Sequence, residues 1–204
     1  MLFDIISEVP TQLNQHLKQL IIILLILVCK QHLFAQTKID TAALKNQLNA
    51  IFDRDQKTRT RGDSTQFTHY IDSCNLVRIE KLVKQYGWLN KSFVGASGNR
   101  AAFYVIQHSE LETQLKYLPI IQASVNKGES NGYELAMLQD RVLMRQEKKQ
   151  IYGSQVVFNK TTGAPEFYPI EDEKNVNLRR AKVGLEPIEQ YAKRFDIDYK
   201  LPTE

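Results

Sequence analysis

Ala101-Ala102-Phe103-Tyr104-Val105-Ile106-Gln107-His108 is the stretch that decides the fold. Its first six residues leave a helix with no polar face, so the segment has to be surrounded by other elements, and it ends on two hydrogen-bonding side chains. Upstream, Asp40 is placed to cap a helix running to Thr60, with Leu44, Leu48, Ile51 and Phe52 on one face. A second helix is expected over Thr68 to Tyr86, with Ile71, Ile79, Leu82, Val83 and Tyr86 inward, and Gly87 closes it just before Trp88. The segment Val94-Gly95-Ala96-Ser97-Gly98 reads as a loop into the central helix, capped by Ser97 or Asn99.

Downstream, a fourth helix is expected from Glu110 with Leu111, Leu115 and Leu118 inward and a kink at Pro119. A fifth carries Tyr133, Leu135, Met137, Leu138, Val142 and Met144. The period then changes. Ile151 to Phe158 and Glu166 to Ile170 flank Asn159-Lys160-Thr161-Thr162-Gly163, the pattern of a β-hairpin. Short helices follow over Glu173 to Val183 and from Pro187 to Phe195. The expected fold is a mainly α single domain of about five to seven helices with one β-hairpin in its C-terminal half.

Polar residues interrupt these apolar stripes at inward-facing spacing. Asp55 and Arg59 continue the first, Asn75 lies four residues from both Ile71 and Ile79, Gln107 and His108 end the third, and Asp140 and Arg141 sit within the fifth. Gln155 adds to them from the first predicted strand. Buried polar groups are costly unless they satisfy one another, so these form either a cooperative network or the lining of a pocket.

Each carries a chemical and a structural reading. His108 has the side chain suited to general acid or base work, or it is a histidine satisfied in a helix corner. Asp140 needs a partner such as Arg59, His108 or a ligand, and Arg141 has the geometry to grip Asp55 bidentately; a buried ion-pair network fixing helix order is the alternative. In a strand, Gln150, Tyr152 and Ser154 would share one side, with Gly153 permitting a bulge or the close approach of another backbone. Ser154 lacks the second glycine of a nucleophile elbow. Gly95 to Gly98 lacks the Gly-Lys-Ser/Thr ending of a phosphate loop, so a capped helix start is favoured over an anion site.

Leu20 to Val28 is an unbroken apolar run preceded by Lys18 and followed by Leu33-Phe34-Ala35-Gln36. It is shorter than the roughly 20 apolar residues a spanning helix needs. Residues 1–35 are therefore expected to be a cleaved secretory signal, with retention as an N-terminal anchor through residues 20–28 as the alternative. Residues 36–204 form one domain, and its formal charge stays at the +4 of the whole chain, because Lys18 and Lys30 leave with Asp4 and Glu8. Well-mixed charge with no basic block argues against nucleic-acid binding. Cys74 alone remains, with His69 and His108, which excludes an intrachain disulfide and disfavours a zinc site. No cofactor or metal is implied, and oligomeric state is left open.

Taken in order, Asp55-Gln56 with Arg59, Tyr86-Gly87-Trp88, Val94-Gly95, Gln107-His108, Asp140-Arg141, Gln150 with Tyr152-Gly153-Ser154-Gln155, Pro169-Ile170, and Arg179-Arg180 before Val183-Gly184-Leu185 resemble a bacterial family known only as a domain of unknown function, number six-six-two-four. The resemblance spans Leu44 to Tyr191. Leu89 stands where the family pattern carries proline, which loosens the loop after Trp88, and Ser154 stands where it carries threonine, keeping the hydroxyl. It implies no reaction but nominates the residues that interrupt the stripes, and it adds Gln56.

Three functions are expected to compete. One is an exported binding domain whose pocket, lined by Arg59, Gln107, His108, Asp140 and Gln155 with Trp88 as apolar wall, takes a small polar or anionic ligand. Another is a hydrolase in which His108 is the base, Asp140 orients it, and Gln155 or Arg59 stabilises developing charge. The last is a scaffold with a purely structural network.

Overall fold

The computed structural model describes residues 17, 19–24 and 40–202, in two compact units, Met1–Asp40 and Thr41–Glu204. In the first unit, residue 17 and residues 19–24 are helical, and Leu17, Leu20, Ile22, Ile23 and Leu24 are exposed. The rest of the apolar run, and the expected cleavage point after Ala35, lie outside the described residues. Among the described residues, no helix is long and apolar enough to cross a membrane.

The second unit is mainly helical with a small antiparallel hairpin in its C-terminal half. Its elements are α1 (Thr41–Thr60), α2 (Thr65–Tyr86), α3 (Lys91–His108), α4 (Leu111–Asn126), α5 (Gly132–Arg145), β1 (Val156–Phe158), β2 (Pro165–Phe167), α6 (Val176–Lys182) and α7 (Ile188–Ala192). Helix α3 is central and packs against α1, α2, α4 and α5. The apolar run that requires this, Ala101 to Ile106, is buried apart from Tyr104, which is partly exposed. Around it close Leu48, Ile51, Ile79, Leu89, Tyr117, Ile121 and Leu138. Gly98 lets α1 approach: a Cβ there would lie 3.0 Å from Leu48 Cδ1.

Four local expectations need correction. Helix α2 starts at Thr65, because the Ser64 side chain accepts from the Phe67 amide and caps it. The predicted loop before the central helix is itself helical from Lys91, broken only at Gly95 (φ 78°, ψ 168°). Asn99 is not a cap; its amide donates to Leu89 O at 2.8 Å and Ser130 Oγ at 3.0 Å. On α4 the inward face is Gln114, Tyr117, Ile121 and Ser124, while Leu115 is exposed and Pro119 sits inside a single helix on its outer side.

The hairpin is shorter than expected. Val157 faces Glu166 in the antiparallel register, and Gln150 and Ile170 form an isolated parallel bridge. Residues 151–155 are an ordered loop and not a strand, for a reason that lies in α5. Beneath the hairpin a second, smaller core gathers Ile170, Val176 and Ile188 with Phe167, Tyr199 and Leu201. Gly153 (φ 66°) touches it: a Cβ would meet Ile188 Cδ1 at 2.5 Å and Ile170 Cδ1 at 2.9 Å, so the close approach is by side chains and not by another backbone.

Candidate functional site

Asp55 and Arg59 lie one turn apart on α1 and so share a face. Asp55 is 1% exposed, and its Oδ1 accepts from His108 Nδ1 at 2.9 Å and from Arg59 Nη1 at 3.0 Å. Gln56 donates to Oδ2 at 2.7 Å. Arg59 continues across to Asp72 on α2, with Nη2 at 2.9 Å from both carboxylate oxygens. Burial pushes the Asp55 carboxyl up, but the hydrogen bond and charge of His108, the charge of Arg59 and the Gln56 amide together hold it below the usual range.

His108 is therefore oriented by Asp55 and not by Asp140. Its Nδ1 is engaged and, among the described residues, none hydrogen-bonds its Nε2; the side chain keeps 14% exposure. Asp55, Asp72 and His108 each offer an atom within 4.8 Å of the others, the geometry of a small cation site, but Arg59 already stands among them as their counter-charge.

Arg141, on α5, does not grip Asp55. Its Nε is buried without a hydrogen-bond partner. Burial, and then repulsion from Arg145 and Arg59, push the guanidinium down to about 10, so it still carries its charge at neutral pH. Arg145 in turn donates to Ser109 O, next to His108, at 2.6 Å. Gln107 and Gln155 meet at the carbonyl of Met137, one turn before Arg141, with Nε2 to oxygen distances of 3.4 and 3.3 Å. The Oε1 of Gln107 is buried and unpartnered.

Asp140 does something else entirely. Its carboxylate accepts from the backbone amides of Ile151 (2.7 Å), Tyr152 (3.0 and 3.2 Å) and Ser154 (2.9 Å). Burial raises this carboxyl despite those bonds. The opposite side of the same loop is held by arginines: Arg179 Nε donates to Ile151 O at 2.8 Å, and Arg180 Nη1 to Tyr152 O at 2.6 Å and Gly153 O at 3.3 Å. Gln150 adds donors to Gln155 O and Tyr168 O and accepts from the Gln155 amide. The loop's amides and carbonyls are thus paid off by side chains instead of a strand partner, which is why the predicted strand does not form.

The other nominated residues lie apart. Tyr152 belongs to the loop through its backbone. Asn75 is fully buried on α2 with both amide atoms unpartnered. Trp88 is not a wall of this site: it precedes α3, which His108 ends. It packs on Tyr117 at 5.9 Å and donates to Ser130 Oγ at 3.3 Å. Ser130 and Ser124 are 2.8 Å apart, and Ser124 donates to Asn90, so that end of the bundle has its own polar network. A cavity of about 460 Å³ opens there between Trp88, Asn90, Ile120 and Lys127, and another of about 420 Å³ lies between α1 and α2 beside Arg54, Lys57 and Phe67. Leu89, next to Trp88, is fully buried in the main core.

Three participants were not reached from the spacing of residues alone. Asp72 sits one turn before Asn75 on a predicted inward face, a signal that was available. Arg179 and Arg180 were visible only through the resemblance, since nothing local in a short charged helix marks a buried arginine.

Comparison with curated proteins and with solved structures finds no match. The model of a family of unknown function, DUF6624, matches residues 28–203, and the chain belongs to that family.

Proposed function

We propose that this protein is an exported domain that binds a small anionic ligand between α1, α3 and α5, against Arg141 and beside His108 and Arg59. The observation that carries the reading is the half-buried guanidinium of Arg141, whose Nε is closed off from solvent with no acceptor. It has two like charges for neighbours and no carboxylate. Such a charge is costly to keep, and an anion is the partner that would relieve it. Arg59 and His108 keep 27% and 14% of their side-chain exposure, the opening to solvent that this reading requires.

The test is thermal unfolding and titration calorimetry with acetate, phosphate and citrate. A ligand at a hundred times its Kd adds about 2.7 kcal/mol, or about 5–10 °C in Tm for a domain of this size. Arg141→Gln should abolish the shift. No shift with any of the anions refutes the reading.

Export is supported by the Leu20 to Val28 run and its exit at Ala35. Mass spectrometry of extracytoplasmic protein starting at Gln36 is the expected result; an intact N-terminus on membrane-bound protein would favour the anchor, and a cytoplasmic pool would refute both.

A further inference from the structure

We infer that the same site hydrolyses small uncharged acyl esters, with His108 as catalytic base, Asp55 as its positioning residue and Arg141 as the group that meets the charge developing on the ester carbonyl. The inference rests on the anion-site reading and extends it from what is bound to what is turned over.

Three arrangements carry it. First, Asp55 Oδ1 engages His108 Nδ1 at 2.9 Å, which leaves Nε2, hydrogen-bonded by none of the described residues, to take a proton. Second, Arg141 is cationic and lacks an acceptor for Nε. A free cation gains little from a neutral ester and most from an oxyanion, so its attraction is felt selectively in the transition state. Third, Gln107, 1% exposed and adjacent to His108, has an orphaned Oε1 and leans toward Met137, one turn before Arg141. Its Oε1 is an unsatisfied acceptor on the residue next to His108 in the chain.

The step balances without a further reagent. His108 Nε2 takes a proton from water while the water oxygen bonds to the acyl carbon and the carbonyl electrons move onto its oxygen, against Arg141. The oxyanion then collapses, the C–O bond to the alcohol breaks, and His108 returns the proton to the departing alkoxide. The products are a carboxylic acid, ionised at neutral pH, and an alcohol. The charged groups around His108 and its partners are Asp55 and Arg59 from α1 and Asp72 from α2, with Arg145 from α5 on the adjoining Ser109 carbonyl, Arg141 close enough to Arg59 and Arg145 to be repelled by both, and Tyr104 one turn back on α3 at 5.7 Å between ring centres.

The experiment measures hydrolysis of p-nitrophenyl acetate and p-nitrophenyl butyrate by the full chain, beside acetate binding by thermal shift. Wild type should turn over at least one ester, more slowly in D2O than in H2O. His108→Ala should lower kcat about 100-fold or more while acetate still binds. Arg141→Gln should lower it about 100- to 1000-fold and lose acetate binding. Asp55→Asn should lower kcat with KM nearly unchanged, a split that a purely structural role would not produce. Should Asp55→Asn fail to fold by circular dichroism, His108→Gln, whose partner network is smaller, takes its place. Acetate binding without turnover of either ester overturns the inference and leaves the binding reading standing. Turnover undiminished in folded His108→Ala overturns it too, and absence of both binding and turnover removes the anion site itself.

Discussion

Substituting Asp140 probes the link between α5 and the loop at residues 151–155. In Asp140→Ala, three backbone amides, those of Ile151, Tyr152 and Ser154, lose an acceptor they now reach at 2.7 to 3.2 Å. A buried donor left unpaired costs about 1–3 kcal/mol, so three set a range of about 3–9 kcal/mol. Partial relaxation of the loop and entry of water bring the expected loss to about 3–5 kcal/mol. Asp140→Asn is a graded control. Its one carbonyl oxygen can still serve Ile151 and Tyr152, but its NH2 would then face the Ser154 amide, donor against donor, for about 1–3 kcal/mol. Urea unfolding of both variants, followed by circular dichroism, measures the order and size of the effects, and equal m-values certify that stability alone has changed. Native-state hydrogen exchange adds a local readout: the amides of Ile151, Tyr152 and Ser154 should move to the fast-exchanging class before α3 does. An Asp140→Ala protein within about 1 kcal/mol of wild type, or an Asn variant worse than Ala, would refute the reasoning.

Gly153→Ala should lose about 2–5 kcal/mol, because a left-handed residue there is strained and its Cβ would fall 2.5 Å from Ile188 Cδ1; chemical denaturation measures it. Asp55, held below its usual range, contributes stability that is present above the unfolded carboxyl value of about 3.9 and is lost as pH falls through the folded value. Asp55→Asn should therefore be destabilised by about 1–3 kcal/mol at neutral pH, with the gap closing in acid. Glu134 has the opposite sign. Burial raises its carboxyl, and its Oε2 lacks a partner, so its ionisation works against the fold as pH rises from the unfolded value of about 4.3 through the folded one. Glu134→Gln should gain on wild type over that rise, and a Tm series from acid to neutral pH reads the crossing.

Periodicity made the helices legible. A run such as Ala101 to Ile106 has one stable solution in water, to be enclosed, and a helix is the element that encloses it without stranding backbone groups. The stripe of Leu44, Leu48 and Ile51 and the Gly87 stop follow from spacing alone, and so does the inward aim of Asp55, Asn75, Gln107 and Asp140, which a helix of 3.6 residues per turn imposes. Pairing is another matter. Whether Asp55 or Asp140 would meet His108 depends on how α1 and α5 dock on α3, and two carboxylates on similar stripes carry no mark that separates them. Likewise a five-residue segment with alternating polarity reads as a strand until a carboxylate from α5 and two arginines from α6 take its hydrogen bonds. Spacing along one chain settles which side chains face inward; only the packing of helices distant in sequence settles which of them touch, because a hydrogen bond is decided by a few tenths of an ångström between elements and not by the period within one.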